Sequence, residues 1–179
     1  MIFYFGTFNP VHKGHLKIGS QVSKYYNDVI TYVPAYCSPW KAELNNYQHR
    51  VNMLKLCNVK VYTIEQKLKT PSYTSRTVKA LIDIFYFDRL KFIIGYDQLL
   101  NIYHWHDWQY LRDNCFFIVI PRNTDQNIMV HLAKLHADGF KMSILLLDNI
   151  PMSSTDVREG NLEMVMPQVK QYILDNKLY

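Results

Sequence analysis

The sequence predicts an α/β fold: a Rossmann-like open, mostly parallel sheet with helices on both faces. Three observations predict it. Short apolar runs alternate along the chain with longer segments of helical periodicity, the rhythm of βαβ units. Two of those runs, residues 90–94 and 115–120, are almost continuously apolar, as strands buried on both faces of a parallel sheet are. The residues able to do chemistry gather just beyond strand ends, where open α/β sheets bind ligands.

Taken in order, an apolar run from Ile2 ends as a strand at Phe5, and Gly6 frees the backbone to turn. Asn9-Pro10 carries the chain over the strand end, and His12 and His15 lead into a helix over residues 16–26, where Ile18, Val22 and Tyr25 share a face. A second strand over 28–33 is rich in β-branched residues and is stopped by Pro34. Residues 35–46 contain Pro39 and little periodicity, which reads as a loop. A helix over 47–57, a strand over 59–64 and a loop over 65–72 follow. The clearest helix covers 74–85, with Val78, Leu81, Ile82 and Phe85 along one side. The strand at 90–94 ends at Gly95 and the one at 115–120 runs up to Pro121, with helical segments at 97–101, 107–113 and 126–137. A last strand, 143–147, leads to Met152-Ser153-Ser154-Thr155, and two helices finish the chain. Residues 1–179 read as one domain with a small helical portion from about 153 onward, without repeats or long linkers.

Composition bounds the function. With 49% apolar residues in 179, the chain can bury a substantial core. A formal charge of +5 favours anionic partners, and because the basic residues form no block, a polyphosphate ligand accounts for them as well as nucleic acid does. Fourteen tyrosines could stack on single-stranded RNA, but packing accounts for most of them. Cysteines at 37, 57 and 115 are odd in number and scattered, which argues for a reducing compartment. The start of the chain lacks a basic leader and no apolar run reaches the length of a membrane span, so a cytoplasmic protein without membrane contact is expected. Zinc would need two ligands beyond His12 and His15, and no C-x-x-C pair supplies them. Oligomeric state is left open, a homo-oligomer included.

Two stretches carry the chemistry. Phe5-Gly6-Thr7-Phe8-Asn9-Pro10-Val11-His12-Lys13-Gly14-His15 reads as a phosphate cradle in which backbone N–H groups and two imidazoles converge; the alternative is two histidines on one face of an ordinary helix. Met152-Ser153-Ser154-Thr155-Asp156-Val157-Arg158 offers capping hydroxyls, an anion-attracting helix start and an arginine able to grip phosphate in bidentate fashion. Its alternative is a plain N-cap with a surface arginine.

Together, G-T-F-N-P-V-H-x-G-H near one end and S-S-T-x-x-R near the other resemble the H-x-G-H nucleotidyltransferase superfamily. Pro71-Ser72-Tyr73-Thr74 and Phe92-Ile93-Ile94-Gly95-Tyr96-Asp97-Gln98-Leu99, followed by Trp105, look like the nicotinate mononucleotide adenylyltransferase family, and the ending from Pro167 to Leu178-Tyr179 is similar too. The resemblance implies transfer of AMP from ATP to nicotinate mononucleotide, with release of pyrophosphate. It implies that His12 and His15 contact the triphosphate in the cradle formed with Gly6, Thr7 and Phe8, and that these histidines and Arg158 are catalytic. Ser153, Ser154, Thr155 and Arg158 would hold the β- and γ-phosphates. Lys41 would be a further phosphate contact, as would Arg122 at its strand end. Gly95 and Asp97 would lie near the adenosine ribose. Tyr73, Thr74, Trp105 and His106 would surround the pyridine ring, while Trp108 packs and Arg50 is structural. Magnesium is expected with the triphosphate, held by phosphates and water rather than by a protein metal site.

Three departures from the family pattern stand out. Phe5 occupies the place of the first of two glycines, Trp40 replaces a small or polar residue before Lys41, and Thr70 stands where glycine often precedes Pro71. The rival readings are a sister enzyme using nicotinamide mononucleotide or phosphopantetheine, a nucleotide-binding regulator without turnover, and an RNA-binding module.

Overall fold

A computed structural model of the chain describes residues 1–37, 46–68, 71–121, 127–147 and 152–179. These residues form one six-stranded sheet, parallel at every pairing, from β1 (Ile2–Gly6), β2 (Ile30–Pro34), β3 (Lys60–Val61), β4 (Leu90–Gly95), β5 (Cys115–Ile120) and β6 (Lys141–Ile144). Their order across the sheet is β3-β2-β1-β4-β5-β6. The direction of progression therefore reverses between β1 and β4, and the crevice beyond their carboxyl ends is where this kind of sheet takes a ligand. Register keeps those ends level: Gly6 lies opposite Pro34, and Gly95 opposite Ile120.

Side-chain alternation divides the strands between two cores. Phe3, Leu90, Phe92, Ile94, Phe117 and Val119 face one cluster, covered by α3 (Thr74–Phe85), α4 (Tyr96–Leu99), α5 (Trp108–Asn114) and α6 (Ile128–Ala137). Ile2, Tyr4, Ile93, Ile118 and Ile120 face the other, covered by α1 (Lys13–Tyr26), α2 (Tyr47–Leu56), α7 (Ser154–Arg158) and α8 (Pro167–Asp175). Helices thus lie on both faces, as the sequence predicts. No helix among the described residues is long and apolar enough to cross a membrane.

Three boundaries differ most from expectation. The first helix begins at Lys13 rather than at residue 16, because His12 serves as its N-cap. The expected strand over 59–64 shrinks to Lys60–Val61 at the sheet edge, after which the chain turns through a 3₁₀ helix at Ile64–Gln66. The last strand runs earlier, at Lys141–Ile144. Gly139, at φ +95°, makes the turn, and buried Phe140 anchors the chain as it enters the sheet.

Candidate active site

The loop after β1 folds against the protein through its carbonyl groups. Arg50 donates to the Thr7 carbonyl at 2.6 Å, Arg158 to that of Asn9 at 2.8 Å, and the Ser154 hydroxyl to that of Pro10 at 2.9 Å. Carbonyl and N–H of one trans peptide unit point in opposite directions. The Phe8 and Val11 N–H groups are thereby turned away from Arg50 and Ser154, respectively. The Asn9 side chain, in a residue only 4% exposed, accepts from the Tyr179 hydroxyl at 2.9 Å. Asn9-Pro10 is a cis peptide.

Gly6 is required here by sterics. A Cβ on it would meet the Phe8 ring at 2.9 Å. Phe8 itself sits at φ +48°, with its buried ring against Tyr4, Tyr32 and His15. Phe5 makes no demand for a second glycine, because it is a regular strand residue opposite Val33. Its ring stacks on Phe3 at 6.2 Å and meets Phe92 edge-on at 5.2 Å, in the α3-side core.

His12 and His15 converge with ring centroids 3.7 Å apart. The His12 backbone N–H donates to His15 Nδ1 at 3.2 Å, and the His15 N–H to the His12 carbonyl at 3.0 Å, at the start of α1. Because Nδ1 accepts, a neutral His15 must carry its proton on Nε2, leaving Nε2–H as a donor. The first turn of α1 has no acidic side chain to compete for an anion. Lys13 turns away to the Glu163 carbonyl at 2.7 Å.

Beside this loop, Ser153 caps α7 by accepting from the Asp156 N–H at 3.2 Å. Besides its bond to Asn9, the Arg158 guanidinium reaches Thr155 Oγ1 at 3.1 Å. Two of its nitrogens are so engaged, and the exposed guanidinium keeps further N–H groups for a ligand. The two sequence motifs are therefore joined directly. At the end of β4, exposed Asp97 is a residue of α4 and not its cap, a position held by Gly95. A Cβ on Gly95 would lie 2.6 Å from Asp97 Oδ1, so glycine there lets the carboxylate fold back over the strand end.

The pyridine candidates meet differently. Tyr73 and His106 stack at 4.3 Å with rings 10° from parallel, and His106 Nδ1 lies 3.1 Å from the Ser75 hydroxyl. Tyr73 is the N-cap of α3 and supplies no capping side chain, which leaves the Thr74 end of the helix open to a carboxylate. Half-buried Trp105 packs on the α3-side core, as Trp108 does, and the ring stacked on Tyr73 is that of His106. Lys41 and Arg122, with Trp40 and Thr70, lie outside the described residues.

Sequence reasoning missed Tyr179 as a contact of the histidine loop and placed Arg50 only as structural. Arg50 is 1% exposed, and burial lowers its pKa from the ordinary value. Its one signal in the sequence is a charge embedded in the apolar face of Tyr47, Val51 and Leu54.

Comparisons with known proteins agree with this geometry. Residues 3–160 match the cytidylyltransferase-like family. A protein of Fusobacterium nucleatum named as a probable nicotinate-nucleotide adenylyltransferase is 35% identical, over 87% of this chain and 83% of its own. One of Flavobacterium johnsoniae bearing the same name is 30% identical over 98% and 96%. A solved structure of Plasmodium falciparum nicotinic acid mononucleotide adenylyltransferase complexed with NaAD superposes with a TM-score of 0.80 at 19% identity, over 99% of this chain and 96% of that one, and attests the fold. The chain belongs to the cytidylyltransferase-like family and, within it, to the nicotinate-nucleotide adenylyltransferases.

Proposed function

We propose that this protein transfers the adenylyl group of ATP to the 5′-phosphate of nicotinate mononucleotide, forming nicotinate adenine dinucleotide and pyrophosphate, in the cytoplasm. The observation that carries the reading is the junction of the two motifs, in which Ser154 and Arg158 hold the Pro10 and Asn9 carbonyls. That junction makes one wall, beside the switch point of the sheet, from donors suited to a triphosphate.

The reaction needs no protein nucleophile. The acceptor phosphate oxygen attacks the α-phosphorus, the bond to the bridging oxygen breaks, and pyrophosphate leaves with the electron pair. Catalysis is then alignment together with stabilisation of charge on the departing oxygens. In this role the His15 Nε2–H and His12 donate to phosphate oxygens, Arg158 offers its remaining N–H groups, and the Phe8 and Val11 N–H groups line the cradle. Gly6 and Thr7 set the loop's course, Ser153 and Thr155 order the start of α7, and Asp97 accepts from ribose hydroxyls. Lys41 and Arg122 are proposed as further phosphate contacts on the strength of the sequence alone. Magnesium enters as part of the ATP complex, held by phosphate oxygens and water.

For the acceptor, Tyr73 and His106 at 4.3 Å leave no room for a third ring between them. In this reading the pyridine ring lies against an outer face of the pair, with its carboxylate at the Thr74 end of α3 and Trp105, on the sequence resemblance, as a further ring contact. An anion is favoured there over an uncharged amide. Pyrophosphate release with magnesium-ATP and three acceptors tests the reading. Nicotinate mononucleotide is expected to give a kcat/KM at least about tenfold above nicotinamide mononucleotide or phosphopantetheine. No release with nicotinate mononucleotide sinks it.

A further inference from the structure

Between the phosphate cradle and the acceptor candidates runs a chain of buried polar contacts for which the reaction has no direct use. It passes through the short segment after β2. The Ala35 N–H donates to the Gly6 carbonyl at 2.9 Å, and Arg50 bridges the carbonyls of Thr7, at 2.6 Å, and Tyr36, at 3.2 Å. On its other side the Tyr36 N–H donates to Glu65 Oε2 at 2.9 Å, while Glu65 Oε1 accepts from the Thr77 hydroxyl at 2.8 Å. Cys37 and Ser72 exchange two bonds of 2.9 Å, one from each N–H. Arg50, Glu65 and Thr77 are 1%, 5% and 0% exposed, so these three side chains are internal, while the Cys37–Ser72 bonds lie at the surface.

Its ends fall on the two halves of the site. Thr7 belongs to the cradle, whereas Thr77 is on the first turn of α3, just past Tyr73 and Thr74. Placing a guanidinium at the carbonyl of Tyr36 and a carboxylate at its N–H makes both bonds charge-assisted, the strong kind. A buried charge has few other places to go, so a shift of Thr7 is felt at Tyr36, and a shift of Tyr36 at α3.

We propose that Arg50, Glu65 and Thr77 are positioning residues that, through the backbone of Tyr36, set the cradle and the acceptor pocket at a fixed mutual distance and couple the binding of the two substrates. The proposal rests on the reaction assigned above, in which attacking phosphate and α-phosphorus must be brought into line by separate halves of the site.

The test uses Arg50→Lys, which replaces with one nitrogen the two that reach the separate carbonyls, and Thr77→Val, which removes one hydroxyl at constant shape. Arg50→Lys is expected to raise the KM of both ATP and nicotinate mononucleotide about tenfold, and Thr77→Val about fivefold, with kcat falling alongside as alignment is lost. Because both act through one segment, the double variant should show about a tenfold rise and not the roughly fiftyfold product. Unchanged KM values with only a lower melting temperature, a change confined to the nearer substrate, or a multiplicative double variant would each overturn the coupling. Should Arg50→Lys fail to fold, Glu65→Gln replaces it in the same cycle. If the unaltered protein does not turn over nicotinate mononucleotide, the assigned reaction fails by itself. The coupling is then read from ATP affinity by calorimetry, which Thr77→Val should weaken about fivefold and which, if unchanged, overturns it.

Discussion

At the phosphate end of the site, hydrogen bonds from Arg50, Ser154, Arg158 and Tyr179 hold the loop at three carbonyls and one side chain. At the acceptor end, the rings of Tyr73 and His106 are held by their stack, by the Arg76 guanidinium 5.2 Å over Tyr73, and by one bond from His106 to Ser75. Directional bonds to backbone fix a loop to within fractions of an ångström, which suits a reaction whose transition state differs from its ground state in where charge lies. Stacking tolerates sliding and rotation, which suits a flat ring that must be admitted and let go. The same fold thus places a prearranged half beside an adaptable one, and substitutions should sort accordingly.

The largest effect is expected from His15→Ala. His15 is oriented by the His12 N–H and by the rings of Phe8 and Tyr4, which fixes the direction of its Nε2–H. Loss of one such donor costs about 100-fold or more in kcat. Stopped-time assays of pyrophosphate release should show that fall with the far-ultraviolet circular dichroism unchanged. Near-normal kcat would make the imidazole a capping group and leave the prearranged half without its donor.

His106→Ala, on the adaptable half, should act more mildly and on one substrate only. Removing the stack on Tyr73 is worth about 1 kcal/mol, which corresponds to roughly a fivefold rise in the KM of nicotinate mononucleotide. His106 lies outside the buried network through Tyr36, so the KM of ATP should stay within about twofold. A comparable rise for both substrates would erase the distinction between the halves.

The contrast also accounts for what could be read from the chain. Alternation of apolar strands with helices, together with glycine and proline at strand ends, made the sheet and the location of its site legible, because both signals are local and periodic. Helix α3 matches its expected bounds for the same reason. The start of α1 was misplaced because two histidines form its cap, where serine, threonine or aspartate usually stands. Hardest to see were the braces. Tyr179 and Asn9 meet across 170 positions, and Arg50 reaches Thr7 across 43. No periodicity encodes such distances, and the stacking of His106 on Tyr73 is equally a product of the tertiary fold.

Phe5 gives the smallest expected effect on catalysis and the sharpest check on where the prearranged half begins. Its place in the motif is that of a glycine, which suggests that the cradle lacks needed freedom. The geometry argues otherwise: Phe5 is paired in the sheet with Val33, and the turn starts only beyond Gly6, so position 5 requires no unusual backbone. What Phe5 supplies is packing, against Phe3 and Phe92 on the face opposite Tyr4 and His15. Phe5→Gly should therefore cost about 2–4 kcal/mol of stability, from lost burial and added chain entropy, read as a lower denaturation midpoint. At a temperature where the variant stays folded, the KM of ATP should remain within about twofold. A tenfold improvement in ATP binding would mean that the cradle extends back into the strand and that Phe5 restrains it. An unchanged KM beside a lowered midpoint would confine the prearranged half to the stretch from Gly6 to His15, with Phe5 as part of the wall behind it.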